Sequence, residues 1–445
     1  MKRKLWIITA VVAVILIAFG SYTVYSKRNN RPRTVVATRQ KVYLIGIDGA
    51  SWNLMRKPMA EGKLPNFQRL MQNGSYGPLK SFIPTKSPIL WTSIATGKKY
   101  KKHGIGNYVA EKDGKMIPVS GNQRITKAFW NIVSDYGLTV GVVNWWVTWP
   151  PEEVNGYMVS DRYRNGHPEK LDQPVTYPAS LIKELPPVGT SMERYMEDRR
   201  KYGLPEELHP DAESKNIEMM VNSYKQYWSQ DRAVRESCRR LIASRNVDVF
   251  GVVFRIVDVS SHLLWTYLDL KMLDELRAKD AAGKLTQQDI DRIDEAYSKI
   301  VGGVYQYADD ILGDFISKSD ANTNFIICSD HGFKFEDGRY GHASMKTPPD
   351  GIVILAGPAF RKNYKIDGAT QLDITPTLLY LEGIPVGRDM DGTILLHAFD
   401  PSFIKLHHPT VVDSHDHGKR QQGQALSSGQ DQEILEDLKS LGYIQ

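Results

Sequence analysis

Apolar, β-branched runs recur along the chain at Lys41–Ile47, Leu138–Asn144, Val247–Phe254, Asn324–Cys328 and Ile352–Leu355. Runs of this length without polar alternation predict strands buried on both faces. Between them, residues 64–73, 126–136, 213–243, 286–317 and 372–382 place apolar side chains at helical spacing and predict amphipathic helices. Strands alternating with helices predict an α/β fold, with a mostly parallel sheet covered on both faces. In such folds ligands are held by loops at the carboxyl ends of strands. Asp48, Asp258 and Asp330 each stand one to four residues beyond a predicted strand. The pattern alone therefore gathers three carboxylates toward one site.

The ends of the chain read differently from its middle. Leu5 to Tyr25 is apolar, preceded by Lys-Arg-Lys and followed by SKRNNRPR. At ~1.5 Å per residue it spans roughly 31 Å as a helix, enough to cross a bilayer's hydrocarbon core. A cleaved signal peptide has a shorter apolar region and a small-x-small site, which AFGSYTVYS does not offer. The expectation is an uncleaved signal anchor at 5–25, a linker at 26–40, a catalytic domain at 41–400 and a polar tail at 401–445. The stretches 163–245 and 265–317 read as helical insertions or a cap over the sheet edge. The tail holds LHHPTVVDSHDHG, read as a solvated linker, and ends in EILEDLKSLGYI, a short amphipathic helix.

Charge and cysteine usage narrow the class. The net charge of +6 over 445 residues is mild. Its excess is local, at Lys2 to Lys4, Lys27 to Arg33 and the KKYKK run at 98–102. That distribution fits a membrane-flanking segment and one basic patch, with no nucleic-acid partner. Cys238 and Cys328 stand far apart in apolar contexts, so buried free thiols are expected and a disulfide framework is excluded.

Five segments carry the chemistry. Asp48 closes YLIGIDG, Ser87 lies in PTKSPILWTSIATG, and Asp258 and His262 stand four apart in FRIVDVSSH. Asp330 and His331 are adjacent in FIICSDHGF, and His342 follows in GRYGHASMKTPPDG. Together they supply three carboxylates, three imidazoles and a hydroxyl, enough to hold two divalent cations and an activated nucleophile. On a helical turn Asp258 and His262 share one face, a two-point grip on zinc. Ser87-Pro88 before an apolar run also reads as a helix N-cap followed by proline in the first turn. Thr85 is the competing hydroxyl.

The order of these motifs resembles the alkaline phosphatase superfamily, in particular its type I phosphodiesterase/nucleotide pyrophosphatase branch, from about Val42 to about Leu396. The resemblance implies a three-layer α/β/α sandwich and a metal-dependent phosphohydrolase acting on a phosphate ester outside the cytoplasm. It implies two divalent ions, zinc or manganese. Asp258, His262 and His342 would form one site; Asp48, Asp330, His331 and the Ser87 oxygen would form the other. His342 takes the place that the last histidine has in phosphoglycerate mutase-like members, and His397 is its rival near the C-terminal end. Counting back from Thr96-Gly97 matches Ser87 to the family's nucleophile. Pro88 has no N–H to offer a phosphoryl oxygen, which leaves Lys86 or Asn107 as substitutes. VNWWVTWPPEEVNGYMVSD (143–161) also looks like the family but shows no chemical role. Sulfatases belong to the same superfamily, yet Ser87-Pro88-Ile89-Leu90-Trp91 lacks their motif's spacing and arginine. A non-catalytic membrane protein keeping the fold is the other alternative.

Overall fold

Lys41–Ile47 is the central strand of a nine-stranded sheet in the computed structural model. The structure describes residues 40–189, 192–204, 214–342, 347–416 and 422–444, without the side chains of 214–223 and Thr266. The central strand is apolar throughout because both its faces are covered. Tyr43, Ile45 and Ile47 enter one core; Val42 and Leu44 enter the other.

Thr323–Cys328 and Val249–Phe254 flank this strand in parallel. The sheet continues from Val249–Phe254 through parallel Val140–Val143 and Gly156–Val159 to an antiparallel edge pair at Thr176–Tyr177. On the other side Gly351–Ala356 runs antiparallel to Thr323–Cys328 and to Gly74–Leu79, with Tyr364–Lys365 at the edge. The sheet is thus mixed rather than mostly parallel on that side. The reason lies in the connection: 329–350 carries the hairpin Lys334–Glu336/Arg339–Gly341 and, among its described residues, no crossover helix, so the next strand returns antiparallel.

One helical layer contains Trp52–Ala60, Pro65–Gln72, Ser214–Ser244 and Gln287–Ile316, and buries Leu54, Phe67, Trp228 and Phe315. The opposite layer contains Ser87–Thr96, Phe129–Asp135 and Ile374–Leu381, burying Trp91, Phe129 and Leu378. The fold is therefore α/β/α in three layers. The two longest helices, expected within insertions, belong to the core. Phe315 packs edge-on against Tyr43 of the central strand, ring centroids 5.2 Å apart. Burying such a ring contributes about 1.5–3 kcal/mol. Thr286 starts its helix with a reciprocal cap: its hydroxyl accepts from Asp289 N (3.2 Å), and Asp289 Oδ2 accepts from Thr286 N (3.0 Å).

Two surface expectations change. In the 98–102 run, Lys98 is buried between Asp389 (2.5 Å) and Asp416 (2.6 Å), and Lys102 pairs with Asp391 at 2.6 Å, so much of the basic patch is neutralised. Asp416 and buried His415, which meets the Pro385 carbonyl at 2.8 Å, lie in the segment read as a solvated linker. That segment packs because its polar groups answer specific partners. The terminal helix forms at Asp431–Ser440 and buries Ile434 and Leu438. The expected anchor at 5–25 lies outside the described residues, among which no helix is long and apolar enough to cross a membrane.

Candidate active site

Three neighbouring parallel strands deliver the three carboxylates. Asp48 directly follows Lys41–Ile47, Asp330 stands two residues past Thr323–Cys328, and Asp258 lies four past Val249–Phe254. Asp258 and His262 sit on the helix Ile256–Leu263, on one face as their spacing requires. His342 ends the hairpin and stacks on His331, ring centroids 3.6 Å apart. Phe333 packs against His262, His331 and His342 at 5.1, 5.7 and 5.2 Å between centroids, so a single apolar ring sets three imidazoles.

His331 Nε2 lies 3.5 Å from Asp48 Oδ1, 3.5 Å from Asp330 Oδ2 and 3.7 Å from Asp258 Oδ1. Its Nδ1 faces the Gly332 carbonyl at 3.1 Å. A proton on Nδ1 leaves the Nε2 lone pair aimed at the carboxylates. Nearby, His262 Nε2 lies 2.8 Å from His342 Nε2, and Asp258 Oδ1 lies 3.5 and 3.7 Å from those two nitrogens. All seven expected ligands are buried or nearly so. Asp258 is not confined to one group, as the sequence suggested. Its Oδ1 faces both, because it stands between His331 and the His262–His342 pair.

The donor set fits divalent cations. Asp48 Oδ1, Asp258 Oδ1, Asp330 Oδ2 and His331 Nε2 are all buried without a hydrogen-bond partner. Buried polar atoms are costly unless something satisfies them, and these converge as ligand atoms do. Two groups, Asp258/His262/His342 and Asp48/Asp258/His331, each bring three such atoms within 4.8 Å of one another. Burial lifts the carboxyls of Asp48 and Asp330 above the usual range, with neighbouring carboxylates adding to the rise. Burial also raises Asp258, but His262, His331 and the Tyr443 hydrogen bond together outweigh it and the net direction is down. Burial holds His342 well below the usual imidazole range, so it stays neutral, the state a metal ligand needs.

Ser87 is fully buried and is the first residue of the helix Ser87–Thr96; Lys86 is the N-cap, and the serine makes no side-chain cap. The expected N-cap role shifts by one residue because Lys86 O already accepts from Ile89 N and Leu90 N. The hydroxyl is left for other work. It lies 3.4 Å from the Tyr108 hydroxyl, which also accepts from Ser87 N at 3.2 Å. Thr85 is committed elsewhere, donating to the His342 carbonyl at 3.2 Å. One turn beyond Ser87, Trp91 Nε1 donates to Asp48 Oδ2 at 3.0 Å. Lys86 Nζ donates to Asn107 Oδ1 at 2.8 Å, and both residues line an open groove of about 760 Å³ with Thr85 and Tyr108. His397 is exposed at the far edge, against Tyr364, whereas His342 is in the cluster.

The structure gives 143–161 a role. Trp146 Nε1 donates to Asp48 Oδ2 at 3.0 Å, and Trp145 Nε1 donates to the Trp91 carbonyl at 3.1 Å. Two indoles thus fix one oxygen of Asp48 and leave the other for the cluster. Val147 follows with φ +61°, strained for a β-branched residue, and its N–H donates to Asp161 Oδ2 at 2.9 Å. Tyr443, at the C-terminal end, donates to Asp258 Oδ2 and stacks on Tyr108 with centroids 4.8 Å apart. No chemical role for Tyr108, Trp91, Trp146 or Tyr443 follows from the sequence motifs.

The chain is similar to known proteins. The profile of the type I phosphodiesterase / nucleotide pyrophosphatase family matches residues 42–347. The chain belongs to that family, and so to the alkaline phosphatase superfamily. It is a hydrolase acting on phosphoester bonds. No curated protein matches it in sequence. Solved structures similar to it include human ectonucleotide pyrophosphatase/phosphodiesterase 5, with 14% identity over 81% of this chain and 100% of that one, TM-score 0.46. Phosphonate monoester hydrolase from Silicibacter pomeroyi shares 13% identity over 80% and 76%, TM-score 0.46. A sulfatase-like protein from Bacteroides thetaiotaomicron shares 12% over 85% and 76%, TM-score 0.48.

Proposed function

We propose that the protein cleaves phosphodiesters with Ser87 as nucleophile and two divalent ions, zinc or manganese. Asp258, His262 and His342 would hold one ion and Asp48, Asp330 and His331 the other, with Asp258 Oδ1 close to both and Ser87 as the remaining ligand. The observation that carries this reading is the convergence of unpartnered buried oxygens of Asp48, Asp258 and Asp330 on His331 Nε2, with Asp258 Oδ1 also facing the His262–His342 pair. Bound there, the ions would supply the positive charge that lowers a hydroxyl's pKa and offsets charge on phosphoryl oxygens.

The chain's own groups do the rest. Ser87 stands at a helix N-terminus, whose backbone partial charge favours an oxyanion. Its oxygen attacks phosphorus in line and the departing alcohol leaves opposite, gaining a proton for the one Ser87 gives up. The serine-linked phosphodiester so formed is then cleaved by water to a phosphate monoester and free Ser87. Tyr108 is placed to take or return the hydroxyl proton's hydrogen bond at Ser87 Oγ. Lys86 and Asn107, joined on the groove wall, are positioned to meet a phosphoryl oxygen in place of the amide that Pro88 lacks. Trp91 stands where the sulfatase motif carries arginine and is bonded to Asp48, which favours phosphate over sulfate esters.

We also keep residues 5–25 as a signal anchor placing the catalytic part outside the cytoplasm, supported by the apolar run and its poor cleavage site. N-terminal sequencing of membrane fractions tests it; a mature chain starting near Ser21 contradicts it. The activity is tested with aryl phosphodiester, aryl phosphate and aryl sulfate substrates, with metals restored to chelated protein. Turnover of the diester that depends on added metal is the expected result.

A further inference from the structure

Asp258 also borders a small cavity of about 50 Å³. One buried water needs ~10–15 Å³ on this measure, so the space holds roughly four waters or one carboxylate or phosphoryl group. Three arginines reach it: Arg162, Arg164 and Arg255. Two of them are engaged. Arg162 pairs with Asp431 at 3.0 Å, and Arg164 donates to Gln230 at 2.9 Å. Arg255 is different. It is buried, its Nε and one terminal nitrogen have no hydrogen-bond partner, and no carboxylate among the described residues stands within ion-pair distance.

Its position is nevertheless fixed. The Arg255 guanidinium lies 3.2 Å from the centre of the Trp146 ring, and that indole is tied to Asp48. A stacked guanidinium presents its N–H fork in the ring plane, the geometry that meets a carboxylate or phosphate with two hydrogen bonds. Burial and Arg164 pull its pKa down to about 9, so it is a cation at neutral pH. Asp161 and Asp48 favour its charge, but neither bonds to it. Asp161 accepts from Val147 N and Thr148 N. Asp437 interacts with Arg164, whose charge favours its ionised form, and Asp258 Oδ1 faces the three histidines. A buried cation whose N–H groups lack partners is costly, and an anion entering the cavity would relieve that cost.

We propose that this cavity binds a second anionic group of the substrate, so that the preferred esters carry a carboxylate or phosphate on the arm next to the reacting phosphoryl, held by Arg255 with Arg164 beside it. The inference rests on the phosphodiesterase reading and names its substrate class. The terminal helix forms the opposite wall through Ile434, Leu438 and Leu441, so the C-terminal segment shapes the choice of arm.

Two esters with the same leaving group test this: methyl 4-nitrophenyl phosphate and carboxymethyl 4-nitrophenyl phosphate. With the metal-loaded protein, kcat/KM for the carboxymethyl ester should exceed that for the methyl ester by on the order of 10- to 100-fold. Arg255→Gln should bring the ratio to within about threefold, and Arg255→Lys, which keeps charge without the fork, should fall between. Calorimetric binding of both esters to the Ser87→Ala protein supplies a readout without turnover and should show the same ranking. Equal affinities there, or a preference that survives Arg255→Gln, overturn the proposal. Absence of turnover of both esters, with the binding preference present, would instead count against the phosphodiesterase reading and leave the anion site standing.

Discussion

The Tyr443 hydroxyl donates a hydrogen bond to Asp258 Oδ2 across 185 residues of chain, while Asp258 Oδ1 faces His262, His331 and His342. One oxygen is held by the end of the chain, and the other is left for the cluster. Groups that orient a ligating carboxylate this way typically tune metal affinity by about 10- to 100-fold. Tyr443→Phe should therefore weaken metal binding about tenfold with little change in fold, read by competition with a fluorescent chelator. Unchanged affinity would mean that the contact only packs the terminal helix.

Ser87→Ala should lower turnover of an aryl phosphodiester by about four orders of magnitude while metal content stays near wild type. Thr85→Ala should cost no more than about threefold, because its hydroxyl is already given to the His342 carbonyl. Single-turnover kinetics and elemental analysis on both variants check this. A dead Thr85→Ala beside an active Ser87→Ala would transfer the nucleophile to Thr85.

The raised carboxyls give a pH dependence with a definite sign. Burial and the neighbouring Asp48 hold the Asp330 pKa well above its ordinary value. A group with a raised folded pKa stabilises the fold below its unfolded pKa, near 3.8, and that stability is lost as pH rises through the folded value. In chelated protein, Asp330→Asn should melt a few degrees higher than wild type at pH 8, and the gap should close toward pH 4. Restoring metal should reverse the order, because a ligand is then missing. Melting curves at both pH values, with and without metal, decide it; a gap independent of pH contradicts the burial argument.

Gly46 touches the site through packing. A Cβ there would lie 2.3 and 2.5 Å from Trp91 ring atoms, and Trp91 holds Asp48. Gly46→Ala should cost about 1–3 kcal/mol in urea unfolding, as overpacking does, and should also weaken metal binding. Loss of stability with intact metal affinity would show that Asp48 does not depend on that indole.

The sequence made the central strand Lys41–Ile47 legible residue for residue because both its faces are buried and its pattern is continuous. Gly74–Leu79 was not legible. GSYGPL has two glycines and a proline, which do not read as a strand. Gly74 and Gly77 are there because a Cβ would strike the Leu355 and Ile366 carbonyls. Trp52–Ala60 was hidden by Pro58 within the helix. In the site, acids and imidazoles at strand ends announced themselves. The roles of Trp91, Trp146, Tyr108 and Tyr443 did not, because an aromatic in an apolar stretch looks like core until its polar atom is traced to Asp48, Ser87 or Asp258.

Metal stoichiometry measured alongside phosphodiester turnover on the same preparations tests the central claim most directly. The account predicts about two divalent ions per chain, activity that falls with their removal and returns with zinc or manganese, and loss of ions on Asp258→Ala, whose Oδ1 faces both ligand groups. An active preparation without stoichiometric metal, or an Asp258→Ala protein that keeps both ions and full activity, would contradict it.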